Sequence, residues 1–272
     1  FAPPEFLTDP LPRSILAKPL LFERPQVRDQ NNPSKKTAGF SVSLEGEFSA
    51  GEDYWSLVAG IAKWVVEIQA KASGVKYVVS PSRRHAKENP EATAFSITIE
   101  HPDPDQGPFF DARILVREGQ WSASRDQKTW ATRASGIRVY LEGFRVLPYG
   151  SQSDDWLRID KDYTVRPRQF ELLKGLDLSS LNENDKDAGL VRLPKNNYFG
   201  AVFLTLANSP SLRMLVNREG FVPEAGFDTL AKLVRTGVDL CTRTRASANI
   251  QSRKERREQR RPGSRGDELP VA

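Results

Sequence analysis

The sequence predicts an α+β fold with a mixed β-sheet and helices mainly on one face. Three observations support this prediction: several segments alternate apolar and polar residues, two stretches have the helical period, and one long strand is apolar throughout. The chain has 272 residues, of which 38% are hydrophobic, and this is enough for a packed core. No run approaches the roughly 20 apolar residues that a membrane helix needs, so we expect no membrane partner.

The first half of the chain is predicted to hold four strands and one long helix. Phe40 to Phe48 marks the first strand, and Tyr54 to Ala72 has apolar residues at the three- and four-residue spacing of a helix. Short runs rich in β-branched and aromatic residues predict the other strands, at Val75–Val79, Phe95–Glu100 and Phe109–Val116. A polar loop is expected at residues 80–90.

A β-hairpin is predicted at GIRVYLEGFRVLPYG, from Gly136 to Gly150. Apolar and polar residues alternate on both sides of Glu142-Gly143, where glycine supplies the positive φ that a two-residue loop needs. That register pairs Leu141 with Phe144 and Val139 with Val146, with one apolar face and one charged face. Pro148 cannot donate a hydrogen bond to a sheet, so this end of the second strand should be either an edge or an exit from the sheet.

Two longer elements follow the hairpin, after a polar segment with a short helix near Gln169 to Gly175. Tyr198–Leu206 is almost continuously apolar, which predicts a strand buried on both faces. It should share a sheet with the hairpin and bury Phe203 beside Val139 and Val146. The last helix should run from about Pro223 through Arg245, with apolar residues on its inner face.

The net charge of +5 lies wholly at the carboxyl end, because residues 243–272 hold nine basic and four acidic residues. These basic residues could contact nucleic acid or an acidic partner; alternatively, they form a solvated helix end. They include Arg253, Lys254, Arg256, Arg257, Arg260 and Arg261. The one cysteine, Cys241, excludes an internal disulfide and fits a cytoplasmic location. We divide the chain into residues 1–37, 38–248 and a largely disordered tail, 249–272.

The segments from Gly107 to Arg245 resemble the second domain of the GHKL ATPases, which include gyrase B, MutL and Hsp90. The resemblance follows the order GPFFDARILVRE, GIRVYLEGFRVLPYG with DDWLRID, NNYFGAVFLTL, VNREGF and a closing amphipathic helix. It implies a ribosomal protein S5 domain 2-like transducer fold, as in bacterial Hsp90-like ATP-binding proteins. Residues 1–37 then connect to a separate ATPase lobe upstream, and residues 38–106 leave room for an insertion.

In this family the second domain contributes one basic residue to the γ-phosphate of ATP. The resemblance assigns that role to Arg218, in VNREGF, because an Arg followed by Glu holds the matching place in the Hsp90 branch. Asn217 lies beside it, and Lys195, with Asn196 and Asn197, is a second candidate. The alternative is that Arg218 pairs with Glu219 or Asp228 at a helix start.

The nucleotide-binding motifs of the family are not found in this sequence. The resemblance therefore implies that ATP and Mg²⁺ are held mainly by the other lobe, and that this chain alone is not catalytic. That lobe is the expected partner, and a homodimer is possible. The alternative function is a non-catalytic module that binds nucleic acid or protein through its basic tail.

Other kinds of site have little support in the sequence. Two histidines, His85 and His101, are too few for a zinc site, so no metal is expected, and His85 is predicted on a surface loop. The acidic residues around Gly107 predict a plain turn more than a calcium site. Several aromatic and basic residues could stack on bases or belong to a helix packed on the core: Trp121, Arg125, Lys128 and Trp130.

Overall fold

The computed structural model describes Val58 and residues 60–119, 122–142, 144–167, 169–181, 191–215 and 220–260, with the backbone alone for 251–260. Its strands are β1 (Ala62–Lys71), β2 (Gly74–Pro81), β3 (Phe95–Ile99), β4 (Phe110–Arg117), β5 (Gly136–Leu141), β6 (Phe144–Val146) and β7 (Tyr198–Leu204). Within the described residues they form one sheet in the order β3-β2-β1-β4-β7-β5-β6. Only β5 and β7 pair in parallel, so the predicted mixed sheet is confirmed.

The helices lie mainly on one face of this sheet, as predicted. They are α1 (Arg83–Glu88), α2 (Arg125–Ala134), α3 (Ile159–Val165) and α4 (Ala225–Arg260). Helix α4 packs on β1 and β2, and its residues Leu230, Val234 and Val238 share the larger core with Ile159 of α3. The opposite face of the sheet packs against α2. The core is therefore split by the sheet into two layers.

Strand β1 replaces most of the predicted helix from Tyr54 to Ala72, so that prediction is wrong over the described residues 62–71. Its buried residues alternate with partly or fully exposed ones; the buried residues are Ala62, Trp64, Val66, Ile68 and Ala70. The same apolar residues fit both a helical and a strand period, and local pattern cannot decide between them. Pairing with β2 on one side and β4 on the other decides in favour of the strand.

The predicted hairpin is confirmed in its register, since Leu141 pairs with Phe144 and Val139 with Val146. Strand β6 lies at the sheet edge, which is one of the two alternatives that Pro148 left open. The prediction of one charged face is wrong for β5, which is buried along its whole length because α2 covers its second face. Even Arg138 is only 1% exposed.

The last strand, β7, shares the sheet with the hairpin and is buried throughout, which confirms two predictions. Phe203, however, does not pack with Val139 and Val146. The parallel register places Phe203 beside Tyr140, and their rings stack with centroids 5.6 Å apart. Since neighbouring residues of a strand point to opposite faces, Phe203 lies in the smaller core and Val139 in the larger.

The described part of helix α4 has 36 residues, Ala225–Arg260, and so continues well beyond the predicted end at Arg245. On its inner face Cys241 is fully buried, and burial raises the pKa of its thiol to about 12, so the thiol stays protonated and unreactive at neutral pH. The predicted strand from Phe40 to Phe48, the connector 1–37 and the end of the tail lie outside the described residues.

The predicted polar loop at 80–90 contains helix α1, which Ser82 caps by accepting a hydrogen bond from the His85 backbone N–H. His85 is therefore not on a surface loop: it is 9% exposed and its ring packs edge-on against Trp64, with centroids 5.3 Å apart. The acidic segment near Gly107 is a turn, in which Asp103 accepts a hydrogen bond from the Gln106 N–H. Trp130 is fully buried on α2, so it cannot stack on a base; Trp121 lies outside the described residues.

Candidate functional site

The two most distinctive sequence segments, the hairpin and VNREGF, meet in the structure. The Tyr149 hydroxyl, at the end of the hairpin, accepts a hydrogen bond of 2.9 Å from the Phe221 backbone N–H. The two rings also stack, with centroids 5.7 Å apart and planes 15° from parallel. Burial raises the pKa of Tyr149, so its hydroxyl remains neutral at physiological pH. A single side chain therefore holds the end of VNREGF against the sheet.

The loop that carries Asn217 and Arg218 is closed at its base by backbone hydrogen bonds. The Leu215 N–H donates to the Gly220 carbonyl at 2.9 Å, and the Val222 N–H donates to the Arg213 carbonyl at 2.7 Å. Asn217 and Arg218 themselves, in residues 216–219, lie outside the described residues. The structure therefore defines where the loop begins and ends, at the hairpin end of the sheet, and leaves the predicted role of Arg218 a prediction.

An aromatic cluster around Tyr149 packs against the base of this loop. Tyr149 contacts Phe227, at the start of α4, and Trp156, with ring centroids 5.1 Å and 5.4 Å apart respectively. The Trp156 indole N–H donates to the Ile137 carbonyl of β5 at 2.9 Å. Because aromatic pairs of this kind add stability beyond their buried area, this cluster joins the hairpin, the loop base and α4 to one another.

Close backbone packing fixes the hairpin exit. Gly150 has a φ of +70°, and a Cβ built on it would lie 2.4 Å from the Ile137 carbonyl oxygen, which is closer than real Cβ atoms come. The Gly150 N–H donates to the Asp154 carboxylate at 2.8 Å. Glycine is therefore required at this position for the chain to leave the hairpin beside β5.

Lys195, the second predicted phosphate ligand, lies next to this exit. Its ammonium donates to the backbone carbonyls of Gln152 and Asp154, at 2.9 Å and 2.5 Å, and is 3.7 Å from the Asp160 carboxylate. Its side chain is only 12% exposed. In this conformation Lys195 holds the segment after the hairpin, and its phosphate role stays a prediction.

The sequence reasoning missed Tyr149, Trp156 and Phe221 as the residues that position the loop. Each occurs in a segment that carried the resemblance, LPYG, DDWLRID or VNREGF. The aromatic residues in these segments could have indicated the contact, because aromatic side chains often form a cluster that joins two loops. Nothing in the sequence paired them, because Tyr149 and Phe221 are 72 positions apart.

The basic residues of the carboxyl end lie partly on helix α4. Its backbone is helical as far as Arg260, so the helix includes Arg253, Lys254, Arg256, Arg257 and Arg260. Arg261 lies outside the described residues. No helix of the described chain combines the length and apolar character needed to cross a membrane.

No protein-family model matches this chain, and no curated protein matches it in sequence. One solved structure that resembles it is the ATP-binding domain of topoisomerase IV from Francisella tularensis, in complex with a small-molecule inhibitor. The two are 7% identical, with a TM-score of 0.22 over 79% of this chain and 75% of that chain. A likeness this slight carries no argument about function.

Proposed function

We propose that this chain is the transducer domain of a GHKL-type ATPase, which couples ATP binding and hydrolysis in a separate lobe to conformational change. The observation that carries the proposal is the contact between Tyr149 and Phe221, which ties the base of the 216–219 loop to the hairpin. A loop joined to a packed core moves with it as one body, and a lever between two sites needs this property. The ordered resemblance from Gly107 to Arg245 supports the same assignment.

In this proposal Arg218 reaches the γ-phosphate of ATP, which is bound with Mg²⁺ in the separate lobe. A guanidinium is always charged and planar, so it can bind two phosphate oxygens and stabilise the charge that develops during transfer. Asn217, next to Arg218 in the sequence, is the second residue of this segment that we propose to contact the nucleotide. Lys195 would have to leave the carbonyls of Gln152 and Asp154 to take part. The partner lobe and a second copy of the chain are the proposed partners, and the proposed location is the cytoplasm.

The experiment that tests this function is amide hydrogen exchange on the natural full-length protein. With Mg²⁺ and a non-hydrolysable ATP analogue, residues 213–222 should exchange more slowly than with Mg²⁺ and ADP, because only the analogue offers a γ-phosphate to the loop. The turn at residues 103–107 is the internal control and should exchange equally in both states. Equal exchange of 213–222 with both nucleotides, or no nucleotide binding, contradicts the proposal.

A second candidate function, binding of nucleic acid or an acidic protein, is favoured by the helical backbone of α4 as far as Arg260. A helix holds basic residues at fixed spacing, so several can contact phosphates together. Deleting residues 253–272 should then weaken DNA or RNA binding and flatten its dependence on salt, as measured by fluorescence anisotropy. Deleting only 262–272 keeps the basic run at 253–261 and should change little. Equal binding by the full chain and both truncations rejects this function.

A further inference from the structure

A cleft of about 420 Å³ lies between helix α4, the start of α3, residue 167 and residues 169–172. Trp156, Phe170 and Leu172 supply apolar walls, while Arg192, Arg235 and Asp239 supply charge. Its volume falls in the range of about 300–1,000 Å³ typical of small-molecule sites. Apolar walls with a few converging polar groups are the usual composition of such a site.

A buried ionic network makes up one side of the cleft. Arg235 uses all its donor nitrogens: Nη1 donates to the Leu157 carbonyl at 2.7 Å, Nη2 to Asp162 at 2.5 Å, and both Nε and Nη2 to Asp239. These bonds tie α4 to α3 and to the chain before it. Arg235 is therefore a structural residue, which fixes the wall of the cleft.

Arg192 differs from Arg235 because its hydrogen-bonding capacity is only partly used. Its Nη1 donates to Asp239 at 3.1 Å, and its guanidinium lies over the Phe170 ring, 4.1 Å from the centroid. The side chain is only 6% exposed, and its buried Nε has no hydrogen-bond partner among the described residues. Arg192 therefore belongs to the buried wall of the cleft, where its guanidinium covers one face of the Phe170 ring.

The lining of the cleft carries more positive than negative charge. Arg158 and Lys232 are exposed at its rim, and neither has an ion pair among the described residues. Of the acidic residues in the lining, Asp162 and Asp239 are paired within the network, and Glu171 is paired with Lys174, 2.5 Å away. The two rim cations therefore remain available to a negatively charged ligand.

We propose that this cleft binds a small aromatic anion, an aryl phosphate or aryl carboxylate. The anionic group would lie near Arg158 and Lys232, and the ring would lie against the apolar walls that Trp156 and Phe170 provide. Such a ligand would contact α4 and the segment after the hairpin together, so its binding would stabilise their present arrangement. The proposal does not depend on the ATPase assignment: Trp156 also belongs to the aromatic cluster at the loop base, but none of residues 213–222 lines the cleft.

Isothermal titration calorimetry on the 272-residue chain tests it with four probes: phenyl phosphate, benzoate, inorganic phosphate and benzylamine. We expect at least one of the two aromatic anions to bind with a Kd of about 0.1–1 mM. Comparing phenyl phosphate with benzoate identifies the anionic group. Inorganic phosphate lacks the ring and benzylamine carries the opposite charge, so both should bind at least about tenfold more weakly.

The decisive variant is the double substitution Arg158→Ala with Lys232→Ala, which removes both rim cations and leaves the buried network intact. It should raise the Kd of the bound aromatic anion by about tenfold or more. The matched control, Lys76→Ala with Lys161→Ala, removes two exposed cations outside the lining and should keep the Kd within about twofold. The proposal is overturned by no binding of either aromatic anion, by equal binding of benzylamine or inorganic phosphate, or by equal loss in both double variants.

Discussion

The natural full-length protein carrying Arg218→Ala is expected to hydrolyse ATP about 10²- to 10³-fold more slowly while binding ATP and ADP nearly as before. The reason is that the proposed contact forms mainly in the closed and transition states, so its loss raises the barrier without weakening ground-state binding. Steady-state turnover and nucleotide titration measure the two effects separately. Arg218→Lys should restore only part of the rate, because a point charge replaces a planar fork.

Arg213→Ala is the matched control for this experiment. Arg213 lies at the base of the same loop, is 70% exposed and pairs with Glu224 at 3.2 Å. An exposed pair of this kind contributes little to stability, so its loss should leave turnover within about twofold. Full activity of a folded Arg218→Ala protein, or equal losses in Arg218→Ala and Arg213→Ala, would show that the arginine has no special contact with the nucleotide.

Gly150→Ala is expected to lower the free energy of unfolding by about 3 kcal/mol or more. The new Cβ would lie 2.4 Å from the Ile137 carbonyl oxygen and 2.8 Å from the Arg138 nitrogen, and these backbone atoms are held in place by the pairing of β5 with β7. The positive φ of +70° adds strain of its own. Denaturant unfolding followed by circular dichroism measures the loss.

Gly175→Ala separates the clash from the strain. Gly175 also has a positive φ, +81°, but a Cβ there would have no atom within 4 Å. It should therefore cost only the strain, about 1 kcal/mol. If both variants lose the same stability, the close approach of Gly150 to β5 contributes nothing and the proposed reason is wrong.

Much of the second half of the fold could be predicted from sequence because its signals are local. The register of the hairpin follows from Glu142-Gly143 and from the alternation of apolar and polar residues around it. The burial of both faces of β7 follows from its unbroken apolar run. The prediction that failed in this half concerned which side chains of β5 are exposed. Arg138 was expected on a charged outer face, yet it lies under α2, a packing that no local pattern reveals.

Strand β1 shows where such reasoning fails more fully. Trp64, Val65 and Ile68 suit the face of a helix, and Trp64, Val66 and Ile68 suit the face of a strand. The choice depends on β2 and β4, which are hydrogen-bonded to β1 along both of its edges. Tertiary pairing therefore outweighs a helical period whenever apolar residues are dense enough to satisfy both.

The candidate site was predictable only as a set of separate segments. The resemblance selected the hairpin and VNREGF, but the bond from Phe221 to the Tyr149 hydroxyl needs the folded chain to bring the two together. The cleft around Arg192 had no sequence signal at all. Its charged residues come from three separate parts of the chain. Each is of a residue type that usually lies at the protein surface, so none of them alone indicates a cleft.

The position of β7 has a consequence for the biosynthesis of this protein. Among the strands of the described residues it is the last to be synthesised, yet it lies between β4 and β5 and is hydrogen-bonded to both. Until Tyr198–Leu204 emerges, β1–β4 and the hairpin are two partial sheets with no strand to join them. Strand β4 then has an open backbone edge beside apolar side chains such as Ile114 and Val116, and edges of this kind pair readily with other chains. We therefore expect chains that stop short of β7 to associate through this open edge rather than to fold as half-domains.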